Sequence, residues 1–322
     1  MSLKTRLIRF KKGFKLSEHS ITIFRRIVQI TAFILINYII LELIFSINLL
    51  LFNGLFKILP VLGSPNNSLT GGAGIVEYIY FAFAEGIIPI FLIGVLILIF
   101  LTSNRFFCGW ICPVGTIQDA CYAIPSKNKK SPKKETHNKL LKIKFVPVIL
   151  VFFILIPLFI SNIYDPEFNA NYRKSILMFA QNPLGFFSLS EFIFYTLPNV
   201  VGDVFEAGDL LPLFSNFASF ILYVVFLAII IGSVWYPRLY CRYFCPSGAI
   251  FSIVSKYSFL KLSRSPVKCV GRSECGKCEI VCPKQIRILD EPFEFYSGNG
   301  ECNFCLKYKE VCSYKAINIR FG

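Results

Sequence analysis

Four apolar runs limit most strongly what this chain can become: Ile27 to Phe52, Ile87 to Phe107, Phe145 to Ile163 and Phe217 to Tyr236. Each supplies about the 20 residues that a helix needs to cross the hydrocarbon core of a bilayer. Lipid offers no partners to backbone N–H and C=O groups, so such runs must satisfy them internally, as helices. Two further stretches, Ile75 to Gly86 and Phe187 to Val201, are apolar but short and carry acids. They suit interfacial or re-entrant segments. The expectation is four spans, six at most. The first run is longer than a signal-peptide core and lacks a small-residue cleavage site, so it reads as an uncleaved anchor.

A net charge of +15 would suggest nucleic acid in a soluble chain, but here the basic residues are segregated. Segments 1–26, 104–145 and 237–322 carry 31 of the 34 Lys and Arg, while segments 53–86 and 164–216 carry 3 basic and 8 acidic residues. Lys and Arg next to spans are retained on the cytoplasmic side. Both termini are therefore expected in the cytoplasm, with an even number of spans and no nucleic-acid partner. Contact with anionic lipid is a by-product of the same charge. The chain divides into a basic cytoplasmic segment (1–23), a transmembrane domain (24–262) and a tail (263–322). The Lys-rich run from Lys127 to Lys144 is an inner linker.

The tail holds seven of the twelve cysteines in 60 residues. That is too little chain for a self-sufficient hydrophobic core, so metal ligation is expected to substitute for it. The order is Cys269-x5-Cys275-x2-Cys278-x3-Cys282-Pro283, then Cys302-x2-Cys305-x6-Cys312. Cys275, Cys278, Cys282 and Pro283 match the second half of the C-x2-C-x2-C-x3-C-P run that holds cuboidal iron-sulfur clusters, in which the fourth cysteine ligates the other cluster. By that rule one 4Fe-4S cluster takes Cys269, Cys275, Cys278 and Cys312. A second takes Cys282, Cys302 and Cys305, with Tyr308 standing where a fourth thiolate is due, which suits a 3Fe-4S or an incompletely ligated 4Fe-4S cluster. A zinc ribbon of Cys275, Cys278, Cys302 and Cys305 is the rival, and it strands Cys269, Cys282 and Cys312. The expected fold is an all-α polytopic membrane domain joined to a small α+β ferredoxin-like iron-sulfur domain.

An internal repeat holds four more cysteines. RFFCGWICPVGTI (Arg105 to Ile117) and RLYCRYFCPSGAI (Arg238 to Ile250) each follow an apolar run and share Arg, Cys108 or Cys241, Cys112 or Cys245, then Pro and Gly. The four-residue spacing puts both thiols of a copy on one face of a helical turn, and the proline suits the start of a new helix. Four thiols from two copies could close one site at the inner membrane face. Its occupant stays open between a third cluster or other redox metal, reversible thiol or copper chemistry, and a structural staple. Cys121 belongs to no pair.

Paired C-x3-C-P motifs at span ends, followed by a ferredoxin-like tail, resemble the membrane polyferredoxins, the family of NapH, NosR and FixG/CcoG-type proteins. The resemblance covers roughly residues 80–322 and departs from the family at Tyr308 and in the long gap after Cys269. It implies electron transfer between membrane quinol and another redox protein subunit through cytoplasmic-side clusters, or, in its assembly branch, copper reduction. A redox-sensing regulator is a third reading. With two histidines and no C-x-x-C-H, haem is not expected, and with no GxGxxG after a strand, neither is nicotinamide. For a quinol site the candidates are Glu42, an acid inside the first apolar run, and Glu77 and Glu85 before the second. Both belong to an aromatic segment that also holds Tyr78, Tyr80 and Phe81.

Overall fold

Helices follow the apolar runs, and identifiable residues stop them. A computed structural model describes residues 20–46, 59–60, 74–125, 132–176, 184–208, 217–294 and 296–322. Most of the basic N-terminal segment, the end of the first run and residues 127–131 of the Lys-rich linker lie outside the described residues. Helices α1 (Ser20–Ile36) and α2 (Ile39–Phe45) cover the described part of the first run. Next come α3 (Ile75–Ala84), α4 (Ile90–Ser103), α5 (Phe106–Trp110) and α6 (Pro113–Ala123). Helix α7 (Lys134–Ile143) leads into α8 (Phe145–Tyr164), against which α9 (Pro166–Ile176) packs. After α10 (Leu197–Ala207) and α11 (Phe217–Gly232), a short-helix pair recurs as α12 (Leu239–Tyr243) and α13 (Pro246–Ser255).

Glu135–Tyr164 is 30 residues of helix whose most apolar window has a mean hydropathy of 2.8 and is only 33% buried. A surface so apolar and so little covered by protein calls for lipid. Among the described residues it is the one helix long and apolar enough to cross a membrane. All four apolar runs are mainly helical where described, but α4 has 14 residues and α11 has 16. The stop in α4 has a local cause. Asn104 adopts φ 54°, and its side-chain amide donates to Ser258 Oγ at 2.6 Å and to the Leu260 carbonyl at 3.1 Å, drawing the chain out of the helix.

Two apolar cores hold the helices together. One gathers Ile36, Val114, Leu189, Phe192, Phe226, Ile229 and Tyr240, and the other Ile79, Tyr80, Phe100, Val151, Leu155, Leu158 and Phe251. In the second, Phe100 of α4 stacks on Phe251 of α13 at 4.1 Å. A third, small core in the tail contains Leu262, Ile288, Tyr296, Phe304, Tyr308 and Ile317. Strands β1 (Leu260–Arg264) and β2 (Ile317–Phe321) pair antiparallel, with Leu260 opposite Phe321 and Arg264 opposite Ile317. This two-stranded sheet fastens the end of the tail to the segment that leaves α13.

Candidate functional site

Each repeat copy folds as two short helices with a cysteine at their junction. Cys108 sits in α5 and Cys241 in α12, while Cys112 and Cys245 are the N-caps of α6 and α13. Pro113 and Pro246 occupy the first turn, where a missing N–H costs nothing and a fixed φ favours the helix. Cys245 Sγ accepts from the Gly248 amide at 3.2 Å. The two copies meet, and Cys108, Cys112, Cys241 and Cys245 line one cavity together with Arg105, Arg238 and Lys284.

The repeat arginines are exchanged between copies. Arg238, from the second copy, donates to the carbonyls of Cys108 at 2.8 Å and Gly109 at 3.1 Å in the first. Its guanidinium also grips Asp119 of α6 at 3.0 and 2.7 Å. Arg25 and Gln29 of α1 reach the same carboxylate, at 3.1 and 2.9 Å. Burial alone would raise the Asp119 carboxyl, but the Arg238 and Arg25 guanidinium groups outweigh it and hold the group well below the usual carboxylate range. The motif glycines make this exchange sterically feasible. A Cβ on Gly115 would stand 3.0 Å from the Cys108 carbonyl to which Arg238 donates, and one on Gly248 would stand 3.1 Å from Arg105 Nη2.

Arg105 takes its carboxylate from the tail instead, because Ser252 stands in the second copy where Asp119 stands in the first. Arg105 Nη1 donates to Glu301 Oε2 at 2.8 Å, and Lys144 pairs with the other oxygen of that carboxylate. Lys284 approaches to 3.7 Å and also donates to the Cys241 carbonyl at 3.0 Å. Burial opposes ionisation of Glu301, but Arg105, Lys284 and Lys144 bring its pKa down to about 2. Burial, with Arg105 adding to it, lowers Lys284 to about 8. Asp119, Glu301, Lys284 and Gln118, which donates to Cys241 Sγ at 3.0 Å, were not legible as site residues. Asp119 was the one with a signal, as one of two acids inside a strongly basic segment.

The tail places its cysteines around two further cavities. Cys269, Cys275, Cys278 and Cys312 line one, and Cys278, Cys282, Cys302, Cys305 and Tyr308 line the other. Cys121 lines none of the three. Of the quinol-site candidates, Glu42 is half-buried on α2 and Glu77 is buried on α3. Glu85 is exposed and paired with Arg173 at 2.9 Å.

The expected inventory of one 4Fe-4S cluster, one 3Fe-4S or incompletely ligated cluster and an optional third group or redox metal is corrected by this geometry. Among the described residues, no three His, Cys, Asp or Glu side chains form a group placed to hold a metal ion. Each cysteine-lined cavity has room for about 20 Å³, close to that of a single water. Burial pushes the Cys278 and Cys282 thiols up to about 11 and raises Cys302 further. Spacing constrains which cysteines are neighbours along a loop, not how far apart their sulfurs stand, and Cys278 lines both tail cavities.

A family model described as a 4Fe-4S binding domain matches residues 86–132 and 218–265, each match containing one copy of the repeat. The chain is 30% identical over 234 residues to MJ0750, an uncharacterized protein of Methanocaldococcus jannaschii, in an alignment that covers 71% of this chain and 77% of that one. YccM of Escherichia coli (strain K12), provisionally named an electron transport protein, is 29% identical over 67% of this chain. The regulatory protein NosR of Stutzerimonas stutzeri is 23% identical over 65% of it. The chain belongs to one family with MJ0750, and its 4Fe-4S binding domain is related to that of NosR, NirI and YccM. It spans about half the length of YccM and about a quarter of NosR, 51% and 23% respectively. No solved structure matches it. Each matched stretch contains one of the two repeat arginines and two of the cysteines that line the shared cavity.

Proposed function

We propose that this chain is the electron-transfer subunit of a quinol-linked membrane redox system, acting with another redox protein. In this reading four helical spans set both termini in the cytoplasm, and the eleven cysteines that line the three cavities mark the route between quinol and partner. The observation that carries it is the meeting of the two repeats. Two stretches 133 residues apart in sequence bring Cys108, Cys112, Cys241 and Cys245 to one cavity. The tail is tied to that same place through Arg105 and Glu301. A chain built this way joins a lipid-facing helical bundle to a cytoplasmic surface through a buried, charge-neutralised core. Electron transfer favours such rigidity, because a fixed polar environment does not have to reorganise as charge moves.

The test uses the full chain in nanodiscs under anaerobic conditions, with a decyl-substituted quinol as donor and a water-soluble dye as acceptor. Quinol oxidation above the rate of empty nanodiscs is expected, falling at least about tenfold, or 1.4 kcal/mol, in Cys108→Ala and Cys241→Ala. No rate above empty nanodiscs would overturn the proposal. The likeness to NosR favours one second reading, a redox-responsive regulator. In that case thiol oxidation state would alter partner binding while quinol turnover stayed at background.

A further inference from the structure

The two-stranded sheet of the tail has one end set against the helical bundle. Phe259 donates its amide to the Leu101 carbonyl in the last turn of α4 at 2.7 Å, and the Gly322 amide donates to the Phe259 carbonyl at 3.1 Å. At that end Tyr257, Phe259 and Phe321 are 66%, 45% and 69% exposed. The Phe259 and Phe321 rings lie 6.0 Å apart and form one patch. Aromatic side chains gain much from burial, so rings grouped and uncovered at one edge mark a contact surface.

Cations flank the patch. Lys261 and Arg320 stand directly opposite each other across the sheet, one step from the Leu260–Phe321 pair. Like charges so placed destabilise a strand pair, and an anion from outside relieves the repulsion. Lys256 adds a third, with its Nζ 5.9 Å from the Tyr257 ring. Among the described residues none of the three has an ion-pair partner.

The neighbouring helix surfaces indicate what covers the patch. Leu98 of α4 and Ile253 of α13 are both exposed, Leu98 about one turn before Leu101 and Ile253 one turn before Tyr257. With the bundle in a membrane, the aromatic patch continues their apolar exterior at the point where the helices end. Aromatic rings favour that level, and the apolar stems of Lys and Arg let their charges reach lipid phosphates. An acidic protein would suit the cations, but to cover Tyr257 and Phe259 it would have to press against the lipid beside α4 and α13.

We propose that this end of the sheet docks in the interface of an anionic bilayer. Tyr257, Phe259 and Phe321 are buried about 5–10 Å into the boundary of headgroups and acyl chains, and Lys256, Lys261 and Arg320 lie on lipid phosphates. The inference uses the membrane placement of the bundle from the reading above and none of its quinol chemistry. Docking of this kind fixes the height of the tail, and of its two cysteine-lined cavities, relative to the bilayer.

Tryptophan quenching in the full chain in nanodiscs tests it, with lipids brominated either near the headgroup or near the end of the acyl chain. Emission from Phe321→Trp and Tyr257→Trp, less the background of Trp110 and Trp235, should be quenched more by the shallow bromine than by the deep one. Val267→Trp, beyond the far end of the sheet at a position 94% exposed, should not be quenched. Raising the share of phosphatidylglycerol in phosphatidylcholine should increase the quenching of Phe321→Trp, and should no longer do so once Lys256→Gln, Lys261→Gln and Arg320→Gln are combined with it. Unquenched Phe321→Trp and Tyr257→Trp, the result if water or a protein covers the patch, overturn the proposal. Equal quenching of Val267→Trp overturns it too, and indifference to phosphatidylglycerol overturns the role of the cations. Leu98→Trp separates this proposal from the four-span reading. Quenching at Leu98→Trp without quenching in the sheet leaves the spans standing and the docking fallen, while quenching at neither place overturns both.

Discussion

Arg238 and Arg105 occupy the same place in two copies of one motif, yet each is neutralised by a carboxylate from a different part of the chain. Both guanidinium groups are essentially buried, and a buried charge is tolerable only while its partner remains. Asp119→Asn leaves Arg238 and Arg25 facing a neutral amide, and a loss of roughly 3–5 kcal/mol is expected, measured by thermal unfolding in mild detergent. Arg238→Lys keeps the charge but not the fork that spans Asp119 and the Cys108 carbonyl, so it should recover little of that stability. The acid side follows from the direction of the Asp119 shift. A carboxyl whose folded pKa is depressed adds stability that is fully present above its unfolded value and is lost as pH falls. The melting temperature should therefore decline below about pH 4. Asp119→Asn should start lower and show a flatter profile over that range, and a parallel decline would remove Asp119 as the cause.

Among the elements, the contact of α5 and α13 with the tail loop depends on residues without side chains. A Cβ on Gly109 of α5 would collide with the Asn303 carbonyl, and one on Gly300 with the Ser252 carbonyl. Gly300 also has φ +75°, a region that L side chains rarely adopt. Gly109→Ala should cost about 1–3 kcal/mol by overpacking and make the tail more sensitive to trypsin, with Gly300→Ala worse. Gly94 in α4 has open space around its Cβ position and is the control, where alanine should be neutral or stabilising by up to about 1 kcal/mol. Equal protease sensitivity in all three variants would mean the tail is held elsewhere. These elements also show what the sequence could reveal. The apolar runs and the C-P helix starts are local patterns, and the helices begin at Pro113 and Pro246 as the spacing predicts. The pairings of Arg238 with Asp119 and Arg105 with Glu301 join residues 119 and 196 positions apart, and no local pattern encodes them. The cluster inventory failed for a related reason, since cysteine order constrains neighbours on a loop and leaves the distances between loops free.

At the scale of the molecule, an apolar exterior and a segregated charge lead to one arrangement. Phe91, Phe153 and Phe205 are 80%, 73% and 83% exposed, on α4, α8 and α10, so the apolar surface extends beyond the single long helix. The basic residues described around the repeats and the tail lie together. Arg25 and Arg26 of α1 meet Asp119, Thr22 of α1 bonds Glu310 of the tail, and Lys144 at the start of α8 meets Glu301. Helix ends that share these ion pairs must lie on one side of any membrane the bundle crosses. Under the proposed topology, positive charge beside spans would make that side the cytoplasm. A fluorescent-protein fusion after Gly322 should be bright and an alkaline-phosphatase fusion there inactive, while phosphatase inserted after Gly208 should be active. Active phosphatase at Gly322 would reverse the orientation. Inactivity at both positions would mean that α9 and α10 never leave the cytoplasmic side and that α8 does not span. The outcome at Gly208 is the more informative, because the 30-residue helix ending at Tyr164 must carry the chain across before α10 can reach the far side.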